Sequence, residues 1–447
     1  MQIRWINHAS YLVAHDDVAV VCDPWLSGDA FDHGWSLLSE SRFTPDDFAD
    51  VTHIWFSHEH PDHFSPPNLK QIPQDIRSKI TVIYQASLDG RVATFCRGIG
   101  FKEVIEIEPG EPLALSESLS IRVYPYTHGD SWSCMEVGDL TLLNLNDCVI
   151  NTPERAEAIA ERAGSVDILF TQFSNAQGIG NPDDTQRRRR AASEKLRRVQ
   201  LQIAAIRPRY VVPFASFVWF SHQENYWHND GANTVHTAVA FIEGQTPATA
   251  VCLYPDDRWD GQGERCSAAA LARYQEDYDR LQTRAPNASP STDVPTLKAQ
   301  HGAFMDRLLT KNSQVVLSAL RWSRRLRPTR VHLTDLDCCV VFDLQRFEPT
   351  KCAPTDCDIS LSSSALSYCF RFEWGGDTLS VNGRFTLPPG GEHAHFRRYF
   401  SLANLNNKGQ TIAHYLPSVR DRLLARMRTI PRSLMRRVGF GGSEKNL

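Results

Sequence analysis

Six consecutive residues, His58-Glu59-His60-Pro61-Asp62-His63, constrain this chain more than any other feature. They follow the apolar run Ile54-Trp55-Phe56, which reads as a buried strand. Two imidazoles at spacing two, then a carboxylate beside an imidazole, converge only if the chain turns sharply after that strand. Pro61 favours such a turn. Neutral imidazole together with carboxylate suits zinc, iron or manganese. Neither packing nor solubility calls for four such donors in six residues, so the hexapeptide is read as a metal site.

The surrounding pattern is mixed α/β. Residues 10–14, 18–22, 52–57, 80–84, 119–125 and 140–144 are short β-rich runs separated by turns. Residues 153–163 have helical periodicity, and 166–170 form a short buried strand. A long helix is expected over 184–206, stopped by Pro208, with a further strand at 210–213. The polar, proline-containing stretch 285–292 marks a boundary. Beyond it, residues 329–342, 358–366 and 378–385 suggest a small α+β domain. This divides the chain into 1–245, a helical or linker segment 246–292, a domain 293–410 and a tail 411–447.

Composition narrows the class. With 48 basic against 52 acidic residues the formal net charge is −4, which gives no global reason to expect nucleic-acid binding. No apolar run approaches the ~20 residues a membrane-spanning helix needs. The N-terminus has no basic start and apolar core of a secretory signal. The 11 cysteines, odd in number and scattered, suit reduced thiols in a cytoplasm.

The hexapeptide resembles the HxHxDH motif of the metallo-β-lactamase fold superfamily. That resemblance implies an αββα sandwich with a one- or two-metal site at the sheet edges. It also implies further ligands downstream, and His128, Asp147 and a last histidine stand in that order. Phe214-Ala215-Ser216 replaces the usual final histidine after the 211–213 strand, leaving His222 or His228, with His222 preferred. By carry-over, His58, His60 and His128 hold one metal, while Asp62, His63 and His222 hold the second. Asp147 bridges them, and Asp23, in Cys22-Asp23-Pro24-Trp25, orients ligands from behind. The cofactors implied are two divalent metals, iron or zinc, with Asp62 and Asp147 as the catalytic carboxylates.

The stretch 23–35, together with 143–148 and 212–217, is similar to the CMP-N-acetylneuraminate hydroxylases and their bacterial relatives. That group is associated with a dinuclear iron site hydroxylating the N-acetyl group of a nucleotide sugar, with electrons from a Rieske domain. No cysteine here is followed by histidine at the spacing a Rieske centre needs, so the implied electron donor is a separate ferredoxin or reductase. The alternative activity is zinc-dependent hydrolysis of a phosphoester, lactone or thioester. A binding protein with a structural metal is the third class, and it is disfavoured because structural sites are usually closed tetrahedra.

The expected partner is a small molecule such as a nucleotide sugar. Arg187 and Arg188 begin a basic run continuing to Arg198, read either as a solvated face or as phosphate capture. Trp219, Tyr226 and His228 lie in an aromatic segment, read either as core or as the wall of a substrate pocket. Cys338, Cys339, Cys352 and Cys357 complete no zinc pattern in sequence and are read as free thiols. Residues 359–383 are similar, over a short stretch, to a sterol-carrier-type domain. The tail carries seven arginines and one acid between 418 and 438, and is read as an exposed helix rather than a membrane-surface anchor.

Overall fold

A computed structural model describes residues 1–175, 177–263, 267–315, 317–318 and 326–411, the side chain of His128 excepted. The basic tail beyond 411 lies outside the described residues. Two seven-stranded sheets form the N-terminal part. In the first, the order is Arg258–Trp259, Gln2–Asn7, Ser10–His15, Val18–Cys22, His53–Trp55, Thr81–Gln85 and Glu103–Ile107. Pairing is antiparallel through Val18–Cys22 and parallel beyond it. The second runs Thr249–Ala250, Tyr210–Phe214, Ile168–Gln172, Leu140–Asn144, Ser131–Val137, Leu119–Pro125 and Leu113–Ala114. Its first four strands are parallel.

Strand alternation explains the layers. Trp5, Val20, Trp55 and Ile83 enter a core shared with Leu143, Phe170 and Val212 of the second sheet. Their neighbours Ile6, Val21, Ile54 and Val82 point the other way, onto Leu69, Val92 and Cys96 of the helices Pro66–Gln71 and Arg91–Gly98. Strands apolar on both faces must be covered on both faces, so the result is an αββα sandwich. Helices Pro153–Ala163, Thr185–Ile206 and Val235–Gln245 supply the outer layer of the second sheet.

The segment 246–292, expected to be helical or a linker, is built into the N-terminal sandwich. It contributes an edge strand to each sheet, and its helix Ala268–Leu281 buries Tyr274 in the shared core. Its polar residues concealed a short apolar run, 250–254, which is buried throughout.

The C-terminal part has its own core. Its sheet runs Phe347–Thr350, Cys338–Phe342, Thr329–Leu333 and Ile359–Leu361. Helices Val294–Lys311, Ser363–Arg371, Gly375–Asn382 and His393–Asn407 pack on that core. The region 378–385 is therefore largely helical, ended by Gly383 at φ +66°. Among the described residues no helix is long and apolar enough to cross a membrane.

The two parts meet at a buried guanidinium. Arg384 donates to Asp32 Oδ2 (2.6 Å), Glu224 Oε2 (3.0 Å) and Ser364 Oγ (2.9 Å). Asn382 Nδ2 donates to the Phe31 carbonyl at 3.0 Å. The backbones touch here: a Cβ on Gly178 would lie 2.5 Å from the Gly383 Cα. His228 is held by the same contact. Its Nδ1 accepts from the Ile179 N–H (3.4 Å) and its Nε2–H donates to the Gly383 carbonyl (3.3 Å).

Two predictions follow from this contact. Removing the guanidinium in Arg384→Ala strands two carboxylates, and a loss of roughly 3 kcal/mol is expected in urea unfolding. Burial pushes the His228 ring down to about 4, and the neutral tautomer is the one its two hydrogen bonds require. The unfolded chain binds a proton at this position below about pH 6.5 that the folded chain refuses. Stability from His228 is thus complete above that pH and declines as pH falls toward 4. The urea midpoint should drop across this window, with a shallower slope in His228→Gln.

Candidate metal centre

The centre is built at the carboxyl ends of parallel strands, where open α/β sheets place their ligands. Strand Val18–Cys22 delivers Asp23, His53–Trp55 delivers the hexapeptide, Leu140–Asn144 delivers Asp147, and Ile168–Gln172 ends at Gln172. The hexapeptide turns back at once: His63 N–H and Phe64 N–H both donate to the His60 carbonyl, at 3.0 and 2.7 Å. Helix Pro66–Gln71 follows.

Asp23 organises the turn. It is fully buried, in a left-handed conformation at φ +41°. Ser57 donates to it from N–H (2.7 Å) and Oγ–H (2.6 Å), His63 from Nδ1–H (2.9 Å) and Asn146 from Nδ2–H (3.0 Å). Engaging His63 Nδ1 leaves Nε2 for the centre. His58 likewise has its Nδ1 2.9 Å from Ser57 Oγ, so its Nε2 also faces inward.

Three overlapping groups converge: His58, His63 and Asp147; His58, His60 and Asp130; and His8, Asp62 and His63. His58 Nε2 lies 2.8 Å from His60 Nδ1 and 3.9 Å from Asp130 Oδ1. His63 Nε2 lies 3.4 Å from Asp62 Oδ2 and 3.6 Å from Asp147 Oδ2. His8 Nε2 is 3.3 Å from the same Asp62 oxygen. His63 Nε2 and Asp62 Oδ1 are buried without a hydrogen-bond partner, a costly state that a cation between them would relieve. The donor set therefore fits metal binding.

Electrostatics agree. Burial alone would raise the Asp147 carboxyl, but the adjacent His63 ring overrides it and holds it at about 2. Burial would lower His63, yet Asp62 and Asp147 raise it well above the usual imidazole range. Burial and the neighbouring rings hold His58 well below that range. A metal there would place positive charge beside the same two carboxylates.

His222 is not brought into this centre. Its Nδ1 accepts from Glu224 N–H and its Nε2 is 3.2 Å from Ser289 Oγ, so both nitrogens are engaged elsewhere. His228 belongs to the interdomain contact. His8 stands beside Asp62 and His63 instead. His8 and Asp130 escaped the sequence reading because single histidines and aspartates at turns carry no spacing signal, although His8 directly follows the first strand. The side chain of His128 lies outside the described residues; its backbone is in the turn Thr127–Gly129.

The proposed substrate residues have other partners. Arg188 is buried and spends its donors on Asp230, Thr185 Oγ1 and the carbonyls of Asn181 and Pro182. Arg187 is exposed. Trp219 is buried edge-on to Tyr226, whose hydroxyl donates to the Leu281 carbonyl. The basic residue that does reach the centre is Lys195. Its Nζ donates to Gln172 Oε1, while Gln172 Nε2 donates to Asp147 Oδ1 at 2.9 Å. Burial lowers Lys195 to about 8, against the pull of Asp147.

Replacing Asp23 by Asn keeps its volume but removes an acceptor and the charge facing His63. Metal affinity, measured by competition with a chelator, should fall ~10–100-fold. Unchanged affinity would show that Asp23 does not position His63.

Residues 2–215 match the beta-lactamase superfamily domain. A Mycolicibacterium smegmatis protein named for a Rieske 2Fe-2S iron–sulfur centre is 22% identical over 355 residues, covering 70% of this chain and 67% of the relative. Mouse cytidine monophosphate-N-acetylneuraminic acid hydroxylase is 29% identical over 239 residues, covering 50% of this chain and 40% of the relative. The chain thus spans less than half of the mouse enzyme. CmlA, a diiron β-hydroxylase from Streptomyces venezuelae, is 19% identical with a TM-score of 0.41, covering 58% of this chain and 53% of that one. The αββα architecture and the strand-end histidines and aspartates agree with that match: residues 2–215 are similar to the beta-lactamase superfamily domain in sequence and have the layer order expected of a metallo-β-lactamase-like fold.

Proposed function

We propose that this chain is a dinuclear-iron hydroxylase acting on an N-acylated nucleotide sugar or a similar small molecule, with electrons from a separate iron–sulfur protein. The observation that carries this reading is the convergence of His58, His60, Asp62, His63 and Asp147 in overlapping groups, in a chain similar over half its length to a nucleotide-sugar hydroxylase. Two irons held there would supply oxygen activation.

The protein's own residues do the remaining work. Asp23 holds the His63 ring, and the Lys195–Gln172–Asp147 chain fixes the Asp147 carboxylate and keeps a proton at Lys195 Nζ. Asp147 keeps 18% of its side-chain surface exposed, whereas His58, Asp62 and His63 are buried, so approach is from the Asp147 side. The Phe31 ring, 5.6 Å from that of His60, offers an apolar wall suited to an acyl methyl.

The competing reading is a zinc hydrolase, because imidazole and carboxylate donors accept zinc as readily as iron. Protein purified anaerobically should contain about two irons per chain if the hydroxylase reading holds. With CMP-N-acetylneuraminate, a reduced ferredoxin and labelled dioxygen, the product should gain one labelled oxygen atom. Asp147→Ala should lose that incorporation. Oxygen-independent turnover of phosphodiesters or lactones by zinc-loaded protein, without oxygen incorporation under any reductant, would overturn the proposal in favour of hydrolysis.

A further inference from the structure

A second cluster of ligand-type side chains lies in the C-terminal part and shares no residue with the His/Asp centre. In its sheet, Val331, Leu333, Val340 and Phe342 face the helices and the core. The intervening His332 and Cys339 therefore face the opposite side, directly across from one another in the antiparallel register. Cys339 pairs on its other flank with Thr350, the end of the edge strand. The chain then leaves the sheet, makes a short turn at Pro354–Asp356, and returns at Ile359–Leu361. That loop brings Cys352 and Cys357 back over Cys339.

The three sulfurs form a triangle. Cys352 Sγ is 3.7 Å from Cys357 Sγ, and Cys357 Sγ is 3.6 Å from Cys339 Sγ. All three sulfurs lie within 4.8 Å of one another. These separations are far beyond the ~2.05 Å of a disulfide. A tetrahedral zinc with Zn–S bonds of ~2.3 Å sets its sulfurs about 3.8 Å apart. The observed edges thus match thiolates sharing one ion.

Packing alone does not account for the triangle. Thiols are weak donors and weak acceptors and gain little from one another. The loop between them, Ala353-Pro354-Thr355-Asp356, offers no large apolar side chain to anchor it. Yet Cys339 and Cys357 are buried. The four residues between Cys352 and Cys357 suit a pair of thiolates closing on one metal across a tight turn. His332, across from Cys339 in the register, lies outside the three-sulfur group; its Nε2 has no hydrogen-bond partner, stands 3.9 Å from Asp337 Oδ1, and would complete the set by turning toward the sulfurs.

We propose that Cys339, Cys352 and Cys357, with His332 as the fourth ligand, bind a structural zinc ion. Binding exchanges three thiol protons for one divalent cation, with no change in oxidation state. The ion would fasten the loop to the sheet just before Ile359–Leu361. That strand leads to Ser362, whose Oγ–H donates to Glu224 at 3.0 Å, and to Ser364, which accepts from Arg384. The zinc would therefore hold the C-terminal side of the interdomain contact in place.

The test uses the full-length chain purified with zinc under reducing conditions. A thiol-specific mercurial should release one zinc per chain to a chromogenic chelator. His60→Ala should leave that release unchanged, because metal at the His/carboxylate centre has no thiolate ligand. Cobalt-substituted protein should show an intense thiolate-to-cobalt charge-transfer band in the near ultraviolet, lost in Cys352→Ser. His332→Ala should surrender the ion to a chelator that the wild type withstands. Wild-type protein that releases no zinc to the mercurial and shows no such band would overturn the proposal. So would a disulfide among the three cysteines in freshly isolated protein. Retention of full zinc affinity in His332→Ala would remove that residue from the ligand set.

Discussion

The buried carboxylate of Asp23 is the constraint on which the metal centre depends. A fully buried charge is tolerated only when its oxygens are hydrogen-bonded, and here donors come from Ser57, His63 and Asn146. Those residues follow different strands, so one carboxylate locks the hexapeptide turn to both sheets. It also determines which nitrogen of His63 faces the centre. The two sheets must pack face to face for Asn146 to reach it, which ties the site to the shared core.

The C-terminal part acts on this centre through a strained loop. Phe31, Asp32 and His33 are successive left-handed residues, at φ +51°, +55° and +57°. Side chains other than glycine adopt that conformation at a cost, and it persists only when its surroundings enforce it. Asn382 and Arg384 do so by binding the Phe31 carbonyl and both the carbonyl and the carboxylate of Asp32. The same loop presents the Phe31 ring to His60. A second link reaches the hexapeptide itself, since Arg91 bonds both Glu59 and Asn407. The C-terminal part thus helps shape the rim of the metal centre rather than hanging beside it.

The readable features were those with a local cause. The hexapeptide, the alternating strands and the long helix ended near Pro208 all follow from spacing and period within a few residues. The features that escaped depend on contacts across long separations. His8 reaches Asp62 across 54 positions, and Asp277, which accepts from Ser39, does so across 238. Segment 246–292 read only as helical or linker because its strands are two residues each and gain their meaning only at the sheet edges. Arg188 and Lys195 sit on one helix and read alike in sequence. One turns into a structural cage and the other toward the centre: seven residues apart they share a helix face, but they lie about 10 Å apart along the axis and so meet different neighbours.

From its sequence alone, this protein was committed to a dense imidazole–carboxylate motif after a buried strand, and with it to the fold class and the kind of ion it can hold. Those are consequences of donor chemistry and of periodicity, which act between near neighbours. Only the tertiary structure decided which other residues join the motif. It placed His8 beside Asp62 and His63, consigned His222 to a hydrogen-bonded position between Glu224 and Ser289, and gathered three scattered cysteines over one sheet face. The physical reason is that ligand geometry is set by where strand ends and loops meet in space, and that meeting is fixed by burial of the two cores rather than by any local pattern.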